Sequence, residues 1–389
     1  MTENMLLAGE QFLAISKFQY MLYGNGERLM NKADRFDLSV PEYWKKHLIE
    51  KTETIKKHKA SYDKHSAFGL ISDIHWDTNT KHSASLLECI LDECDIPFFY
   101  NAGDLFSGYG ICSQYKNIEE FSEYHKVFEK IQNKCLMVEG NHDAVYSLFE
   151  APDYYVQNIP LSLFNEHYFG SQSLYPDRVF GKTGTYYYAD DKQSKTRFIV
   201  LNTHDIPSDE TTQDGRPVYN KFRKTGTGFM QEQLDWFANV ALDVPSCDWT
   251  VVLCTHEAPV NIREDSPDFE IVCGIINAFR HHTSFNCEKH FEKEISHYDA
   301  KISIDFTDKG GNFAVWVSGH VHKDMACYVD GILVVSSICD CLSESYPDKV
   351  PGTDTEQSFD IFTIDKEKHR IFATRIGYGK DREFEYEVF

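Results

Sequence analysis

The stretch VEGNHD, residues 138–143, places an amide, an imidazole and a carboxylate side by side. The apolar run that leads into it, Cys135–Val138, has the length and composition of a buried strand. In open α/β sheets, ligands bind in the crevice beyond the carboxyl ends of the strands. The stretch is therefore a candidate site, provided that other strands of the chain end in a similar way.

Five further apolar runs of this kind occur, separated by longer polar or helix-like segments. They are rich in Val, Ile, Phe and Leu, which favours buried strands. The runs are Phe68–Ile71, Ile96–Tyr100, Phe198–Leu201, Trp249–Cys254 and Phe313–Val317. Helix-like segments between runs are Ser83–Glu93, Ile118–Gln132 and Gly228–Val240. The C-terminal region predicts three more strands, the last two forming a hairpin: Ile332–Val335, Phe359–Ile364 and Arg370–Ile376. This alternation predicts a layered α/β domain.

Five of the six runs end in side chains that bind metal ions well. The clusters after them are Asp73-Ile74-His75, Gly103-Asp104, Gly140-Asn141-His142-Asp143, Thr255-His256 and Gly319-His320-Val321-His322. Each cluster alone is compatible with an ordinary turn, but their joint placement predicts one shared crevice. The donors are carboxylate, imidazole and amide groups, a set that suits Mn²⁺, Fe or Zn²⁺. They are numerous enough for two ions.

The ordered set Asp-x-His, Gly-Asp, Gly-Asn-His-Asp, His and Gly-His-x-His resembles the calcineurin-like metallophosphoesterase superfamily, from about Phe68 to Asp340. The resemblance implies a four-layer α-β-β-α sandwich, with two mixed sheets between helices, and a pair of metal ions. The ligand roles that it implies are Asp73, His75 and His322 for the first metal, Asp104 as the bridge, and Asn141, His256 and His320 for the second metal.

The resemblance also implies a mechanism. His142 matches the family's histidine that contacts the phosphate and protonates the leaving oxygen, and Asp143 would orient the ring of His142. A water between the two ions would supply the hydroxide that attacks phosphorus in line. We therefore expect a metal-dependent phosphoric ester hydrolase that acts on a small phosphoester.

Departures from other branches of the superfamily narrow this expectation. Purple acid phosphatases carry Gly at the position of His75 and Tyr at that of Ser107, while Ser/Thr protein phosphatases carry Arg at that of Glu139 and Glu at that of Asp143. The layout, including the segment 228–236, resembles the cyclic-nucleotide-phosphodiesterase-like branch. We expect a phosphodiesterase on a small or nucleotide-like substrate. The alternatives are a phosphomonoesterase, or a non-catalytic scaffold or binding module of the same fold.

Residues 1–65 predict an N-terminal helical extension of a metallophosphoesterase domain that spans 66–389. Its helices are expected over Met5–Tyr23, and from a capping box at Ser39 onwards. We expect this arm to pack on the domain or on a second subunit, which would make a homo-oligomer.

Two features of the domain itself are less specific. Residues 257–312 are a candidate cap that selects substrate, with a surface excursion as the alternative. His204, after the run Phe198–Leu201, is a candidate substrate contact, with a polar loop residue as the alternative.

The net charge, the apolar runs and the cysteine count indicate which partners and which cellular compartment to expect. The formal charge of -22 argues against a nucleic-acid partner. The first residues lack the positive charge of a secretion signal, and no apolar run approaches the length of a membrane span. The 11 cysteines, an odd number, indicate reduced thiols and a cytoplasmic protein. Cys339-Asp340-Cys341 is interpreted as buried or idle thiols, with a metal site as the alternative.

Overall fold

The core of the protein lies between two β-sheets that pack face to face. The structure is a computed structural model, and it describes residues 39–60, 64–106, 114–143, 145–147, 156–158, 161–169, 175, 177–205, 227–259, 268–343 and 345–389. The helix expected over Met5–Tyr23 lies outside these residues.

The elements are numbered along the chain. The α-helices of the described part are α1 (Lys45–His58), α2 (Thr80–Glu93), α3 (Gln114–Val127), α4 (Leu161–Tyr168), α5 (Gln231–Trp236) and α6 (Phe269–His281). The strands are β1 (His65–Ile71), β2 (Phe98–Asn101), β3 (Cys135–Met137), β4 (Val145–Ser147), β5 (Val156–Asn158), β6 (Arg178–Phe180), β7 (Tyr187–Asp191), β8 (Thr196–Val200), β9 (Thr250–Cys254), β10 (Ser284–Lys289), β11 (Ala300–Asp305), β12 (Asn312–Ser318), β13 (Met325–Val329), β14 (Ile332–Ser336), β15 (Ser358–Asp365), β16 (Arg370–Gly377) and β17 (Arg382–Glu385).

The first sheet has the order β17-β16-β15-β1-β2-β3, and the second β13-β14-β12-β9-β8-β7-β6. Strands β1, β2 and β3 run parallel, as do β8, β9, β12 and β14. In the first sheet β15, β16 and β17 pair antiparallel, and in the second sheet β13 at one edge and β7 and β6 at the other do so, which makes both sheets mixed. Two short hairpins, β4-β5 and β10-β11, stand apart from them.

Phe68 on β1 shows how the sheets meet. Its ring stacks on Phe362 within the first sheet at 5.1 Å between centroids, and it contacts Phe198 of the second sheet edge-on at 5.3 Å. Such aromatic contacts add to the free energy gained by removing these side chains from water. The outer faces are covered by helices: α1 and α2 on the first sheet, and α5 and α6 on the second. The result is the expected four-layer α-β-β-α sandwich.

The strand predictions agree with this architecture to within one to three residues at most ends, which is the usual uncertainty of such boundaries. The helix expected over Gly228–Val240 is shorter, because α5 begins at Gln231 and continues as a π-helical turn over Phe237–Ala241. The second helix of the arm begins after Pro41 with a 3₁₀ turn, Glu42–Trp44, rather than at Ser39.

The described part of the arm packs on the domain. Trp44 and Ile55 are buried in the hydrophobic cluster that includes the first sheet, and α1 lies on β15 and β16. In the candidate cap region, α6 belongs to the helix layer over the second sheet. The domain boundaries and the cap remain predictions. None of the described helices is long and apolar enough to cross a membrane.

Candidate metal centre

The carboxyl ends of the parallel strands of both sheets lie close together, and the expected ligands follow these ends. The loops after β1 and β2 are joined by backbone hydrogen bonds: the Asp73 amide donates to Gly103 O at 3.1 Å, and the His75 amide to Asp104 O at 3.0 Å. The loops after β9 and β12 are joined likewise, since the Gly319 amide donates to His256 O at 3.0 Å. These links fix the candidate ligands before any ion binds, which is the preorganisation that a metal site needs.

One group of donors consists of Asp73, His75, Asp104 and His322. Each offers an atom within 4.8 Å of the others. The Nε2 atoms of His75 and His322 lie 3.4 Å apart, and His322 Nε2 lies 3.2 Å from Asp73 Oδ1. The contact between Asp73 Oδ1 and His322 Nε2 is not a well-formed hydrogen bond, although Asp73 is fully buried. A buried carboxylate oxygen that faces an imidazole nitrogen in this way fits a metal ion between them.

A second group consists of Asp104, His256 and His320, again within 4.8 Å of one another. Asn141 Oδ1 adds an amide oxygen, 3.0 Å from His320 Nδ1 and 3.2 Å from His256 Nε2. Asp104 is the member that both groups share. All seven expected ligands thus come together as two adjoining sets, and the donor types fit two divalent ions.

Neighbouring carbonyl groups set which ring nitrogen faces the site. His256 Nδ1 lies 2.5 Å from Ala102 O, and His75 Nδ1 lies 3.2 Å from Phe106 O. A carbonyl can only accept, so each Nδ1 carries the proton and each Nε2 is left as the donor atom. His320 is turned the other way, with Nδ1 toward Asn141.

The backbone at the site is strained. Five of the seven expected ligands have a positive φ, in the left-handed region that residues other than glycine rarely adopt. They are Asp73, His75, Asp104, His320 and His322. Each such residue costs on the order of 1–3 kcal/mol and persists only where its surroundings enforce it. The positive φ values turn the chain sharply after each strand, so that the side chains of these short loops lie close to one another.

Glycines before the clusters permit the close approach of the loops. A Cβ on Gly140 would lie 2.2 Å from Asp104 Oδ1, and one on Gly319 would lie 1.9 Å from Ser72 Oγ. Gly103, with a φ of 90°, would bring a Cβ within 2.7 Å of Gly140 N. The glycines noted in the sequence are therefore steric requirements of the site.

The charges of the site depend on one another. Burial alone would raise the pKa of Asp73, but His322 outweighs it and lowers that pKa to about 2. Burial would lower the pKa of His322, but Asp73 raises it to about 11, and Asp104 likewise raises the pKa of His256 to about 10. Without a cation, carboxylates and imidazolium groups neutralise each other, so a binding metal must release protons.

His142 and Asp143 do not form the expected pair. Asp143 is fully buried, and its oxygens accept the amides of Gly140, Asp104 and Leu105 at 2.8, 2.9 and 2.7 Å. The expectation that Asp143 orients the ring of His142 is therefore corrected, because its carboxylate supports the loop of Asp104. Burial, then the charge of Asp104, raises the pKa of Asp143 to about 8.

The ring of His142 is partly exposed and lies against His75, with 4.8 Å between centroids. Its Nε2 lies 3.8 Å from Asp104 Oδ2, and its backbone amide donates to Asp104 Oδ1 at 2.8 Å. The side chain therefore stands at the mouth of the site, beside both donor groups.

His204 lies deeper than expected for a substrate contact. Its side chain is buried, 6.0 Å from the ring of His256 between centroids, with Nε2 3.7 Å from Glu257 Oε1. Glu257 also lies 3.7 Å from His320 Nδ1. This arrangement places His204 behind the second donor group. Its contact with substrate stays a prediction.

The sequence did not reveal two supports of the site. Tyr168 on α4 donates its hydroxyl to Asp143 at 2.8 Å, across 25 positions of sequence, and no local pattern indicates this contact. Glu257 is the other support, with Oε1 3.7 Å from both His204 Nε2 and His320 Nδ1. Its place directly after the expected ligand His256 is the signal in the sequence that points to it.

Comparison with known proteins places the fold. The family model for calcineurin-like phosphoesterases matches residues 67–324, well over half of the chain. The chain belongs to this family. Calcineurin-like phosphoesterases are typically dimetal phosphoester hydrolases and generally bind two divalent ions, and the two donor groups of this member agree with that pattern.

Solved structures of the same kind are similar at low identity. A dimetal phosphatase from Danio rerio is 14% identical, covers 83% of this chain and 99% of its own, and has a TM-score of 0.49. GAP50, the anchor in the inner membrane complex of Plasmodium, is 10% identical over 84% and 89%, with a TM-score of 0.39. A putative 5'-nucleotidase from Staphylococcus aureus is 12% identical over 84% and 55%, with a TM-score of 0.38. A search among curated proteins gave no match.

Proposed function

We propose that this calcineurin-like phosphoesterase is a dimetal phosphodiesterase acting on a small or nucleotide-like substrate. The observation that carries the proposal is the position of Asp104, whose carboxylate belongs to both donor groups. A shared carboxylate is what holds two ions ~3.5–4 Å apart, the spacing used to clamp the oxygens of a displacement at phosphorus. Asp73, His75 and His322 would hold one ion, and Asn141, His256 and His320 the other.

When bound, the two ions supply an activated water and neutralise charge on the phosphoryl oxygens. His142 contributes the proton for the leaving oxygen. It is partly exposed at the mouth of the site, its backbone amide donates to Asp104, and its Nε2 lies 3.8 Å from Asp104 Oδ2. A general acid in such a position contributes typically ~10²–10⁴-fold to the rate.

The preference for a diester rests on the motif pattern. His75 in the first cluster and Glu139 before Gly140 depart from the purple acid and Ser/Thr protein phosphatase patterns, and resemble the cyclic-nucleotide-phosphodiesterase-like branch. The charge of -22 favours a small substrate over a nucleic acid, which an acidic surface repels.

The test is hydrolysis of bis-p-nitrophenyl phosphate beside p-nitrophenyl phosphate by Mn²⁺-loaded protein, with metal content measured on the same sample. His142→Ala removes only the ring, because the bond to Asp104 comes from the backbone. We expect diester turnover to fall by ~10²-fold or more in this variant, with two metals retained. His290→Ala, a variant at an exposed histidine on the surface, is the matched control and should keep full activity.

Other outcomes decide between the alternatives. Faster turnover of the monoester would make the protein a phosphomonoesterase with the same metal centre. If two metals bind but neither ester is hydrolysed, the proposal of a diesterase that acts on such substrates is contradicted. Absence of bound metal would favour the non-catalytic scaffold.

A further inference from the structure

Strand β14 brings a sixth loop to the metal centre. It runs parallel to β12, so its carboxyl end, which leads into residues 337–341, lies at the same edge of the second sheet as His320 and His322. The Cys341 sulfur and one ring nitrogen each of His75 and His322 lie within 4.8 Å of one another. The cysteines interpreted as idle thiols from the sequence therefore lie beside the expected ligands.

The loop that carries Cys341 is held firmly against the site. The Cys341 amide donates to Asp73 O at 3.2 Å, and the Asp340 amide donates to Ser72 O at 2.8 Å. The buried ammonium of Lys349 donates to three successive carbonyl groups, those of Cys339, Asp340 and Cys341, at 2.9, 2.8 and 2.7 Å. These bonds hold the backbone of Cys341 against Asp73, one of the expected ligands.

The carboxylate of Asp340 points away from the site. It accepts the Ser83 hydroxyl at 2.6 Å and the Ser358 amide at 2.9 Å. The side chains of Cys339 and Cys341, on either side of Asp340, lie beside His322. The bonds of Asp340 thus attach this loop to Ser83 and Ser358, while the two thiols lie at the site.

Two independent features mark the space between these groups as a cation position. His75 Nε2 and His322 Nε2 face each other at 3.4 Å, and the buried Asp73 Oδ1 lies 3.2 Å from His322 Nε2 without forming a well-shaped hydrogen bond. His75 and His322 are partly exposed and belong both to the group that contains Asp73 and to the group that contains Cys341. Imidazole, carboxylate and thiol are the ligand types of Zn²⁺ and Fe sites.

We propose that the thiolate of Cys341 is a ligand of the first metal ion, together with Asp73, His75 and His322. This inference rests on the dimetal centre of the proposed function and refines it. On binding, the Cys341 S–H bond breaks, a sulfur–metal bond forms, and the proton passes to solvent. A thiolate ligand favours Zn²⁺ or Fe at this position over Mn²⁺ or Mg²⁺. The two metal positions of this protein therefore differ in softness, because the second group contains nitrogen and oxygen donors.

The test is a titration of the metal-free full chain with Co²⁺, followed by absorption spectroscopy. A thiolate bound to Co²⁺ gives an intense charge-transfer band in the near ultraviolet, which nitrogen and oxygen ligands do not give. We expect the band in the natural protein, its loss in Cys341→Ser, and its retention in Cys339→Ser. Cys339 is the matched control because it lies in the same loop, is buried and contacts His322, but is outside the group of three atoms.

A second measurement needs no variant and so does not depend on how Cys341→Ser folds. X-ray absorption of the Zn²⁺-loaded natural protein should show one sulfur at about 2.3 Å beside lighter ligands at about 2.0–2.2 Å. A shell of nitrogen and oxygen alone, or a charge-transfer band that survives Cys341→Ser, would overturn the proposal. If two metals bind and esters are hydrolysed in that case, the proposed function stands without the thiolate. If no metal binds, both proposals fail.

Discussion

Asp143 Oδ2 accepts the backbone amide of Asp104 at 2.9 Å. The same oxygen accepts the Gly140 amide and the Tyr168 hydroxyl, each at 2.8 Å, and Oδ1 accepts the Leu105 amide at 2.7 Å. One buried carboxylate therefore holds the loop that carries the candidate bridge between the metals. None of these hydrogen bonds joins the carboxylate of Asp143 to the side chain of His142, although the two residues are adjacent in sequence.

This arrangement predicts that Asp143→Ala weakens both folding and metal binding. Three buried amides would lose their acceptor, and each unsatisfied group costs ~1–3 kcal/mol. We expect the free energy of unfolding to fall by several kcal/mol, and the metal content at limiting Mn²⁺ to fall with it. Urea denaturation and metal analysis of the same preparations check this. Tyr168→Phe removes a single donor and should cost only ~1 kcal/mol.

A different result would restore the expectation from the sequence. If Asp143 orients the ring of His142, then Asp143→Asn should keep two metals and the natural stability, and lose only kcat. The structure predicts instead that Asp143→Asn has a lower metal affinity, while the pH profile of kcat in its metal-loaded form stays as in the natural protein.

Gly140→Ala should displace the candidate bridge. The added Cβ would meet Asp104 Oδ1 at 2.2 Å and the Asp104 amide at 2.4 Å, distances that force the loop apart. Because Asp104 belongs to both donor groups, we expect both metals to be lost together and ester hydrolysis to fall ~100-fold or more. Gly352→Ala is the comparison, since its Cβ meets nothing within 4 Å. It should lower stability slightly, through its φ of 76°, without loss of metal.

The sequence predicted the strands that are buried along most of their length, but not the half-exposed strands β10, β11, β13 and β17. Residues of β1, β9 and β14 are almost all buried, so their apolar runs are continuous and easily recognised. Helix ends were less predictable. The π-helical turn after Trp236 and the 3₁₀ turn before Lys45 depend on packing against the sheets, and a periodic pattern carries no information about that.

The candidate ligands were predictable because each follows a strand directly, whereas the groups that support them come from distant segments. The partners of Asp143 depend on how loops cross in space. The position of Cys341 beside the ligands follows from β14 running parallel to β12 in the same sheet, which the sequence does not indicate. Strand direction is set by connections that short apolar runs do not specify.

Asp268→Asn should make stability less dependent on pH. Burial is the main cause that raises the pKa of Asp268 to about 7, while the amide of Phe229, which donates to Oδ2 at 2.9 Å, partly offsets it. A raised pKa means that the contribution of Asp268 to stability is present below about pH 4 and is lost as pH rises through about 7. The asparagine retains the acceptor without the charge. We therefore expect the variant to gain stability relative to the natural protein between pH 4 and 8, by up to a few kcal/mol.

Urea denaturation of both proteins at several pH values measures this difference directly. Asp308→Asn, at an exposed position, should show a constant difference over the same range. A constant difference for Asp268→Asn as well would show that its carboxyl titrates normally in the folded state.

Asp360→Asn should destabilise the protein strongly on the neutral side of the pH range. Burial alone would raise the pKa of Asp360, but Arg375, which binds it at 2.9 Å through both Nε and Nη2, and then Arg382, at 2.7 Å, hold that pKa well below its usual value. A depressed pKa means that this stability is present above about pH 4 and is lost as pH falls below it. Removing one partner of a buried pair costs ~3–5 kcal/mol. The expected difference from the natural protein is therefore large at pH 7 and smaller at pH 3, which thermal or urea unfolding at both values tests.

Trp44→Ala tests whether the described part of the N-terminal arm is integral to the domain. Trp44 is 1% exposed, packs in the hydrophobic cluster that includes the first sheet, and donates its indole N–H to Gln357 Oε1 at 2.5 Å. Truncating a buried tryptophan costs ~3–5 kcal/mol, so we expect the whole domain to unfold at lower denaturant in one transition. Ile49→Ala, at a residue of α1 that is itself 61% exposed, should leave that transition unchanged. If Trp44→Ala instead left the midpoint in place and changed only the oligomeric state measured by light scattering, the arm would serve subunit contacts rather than the core.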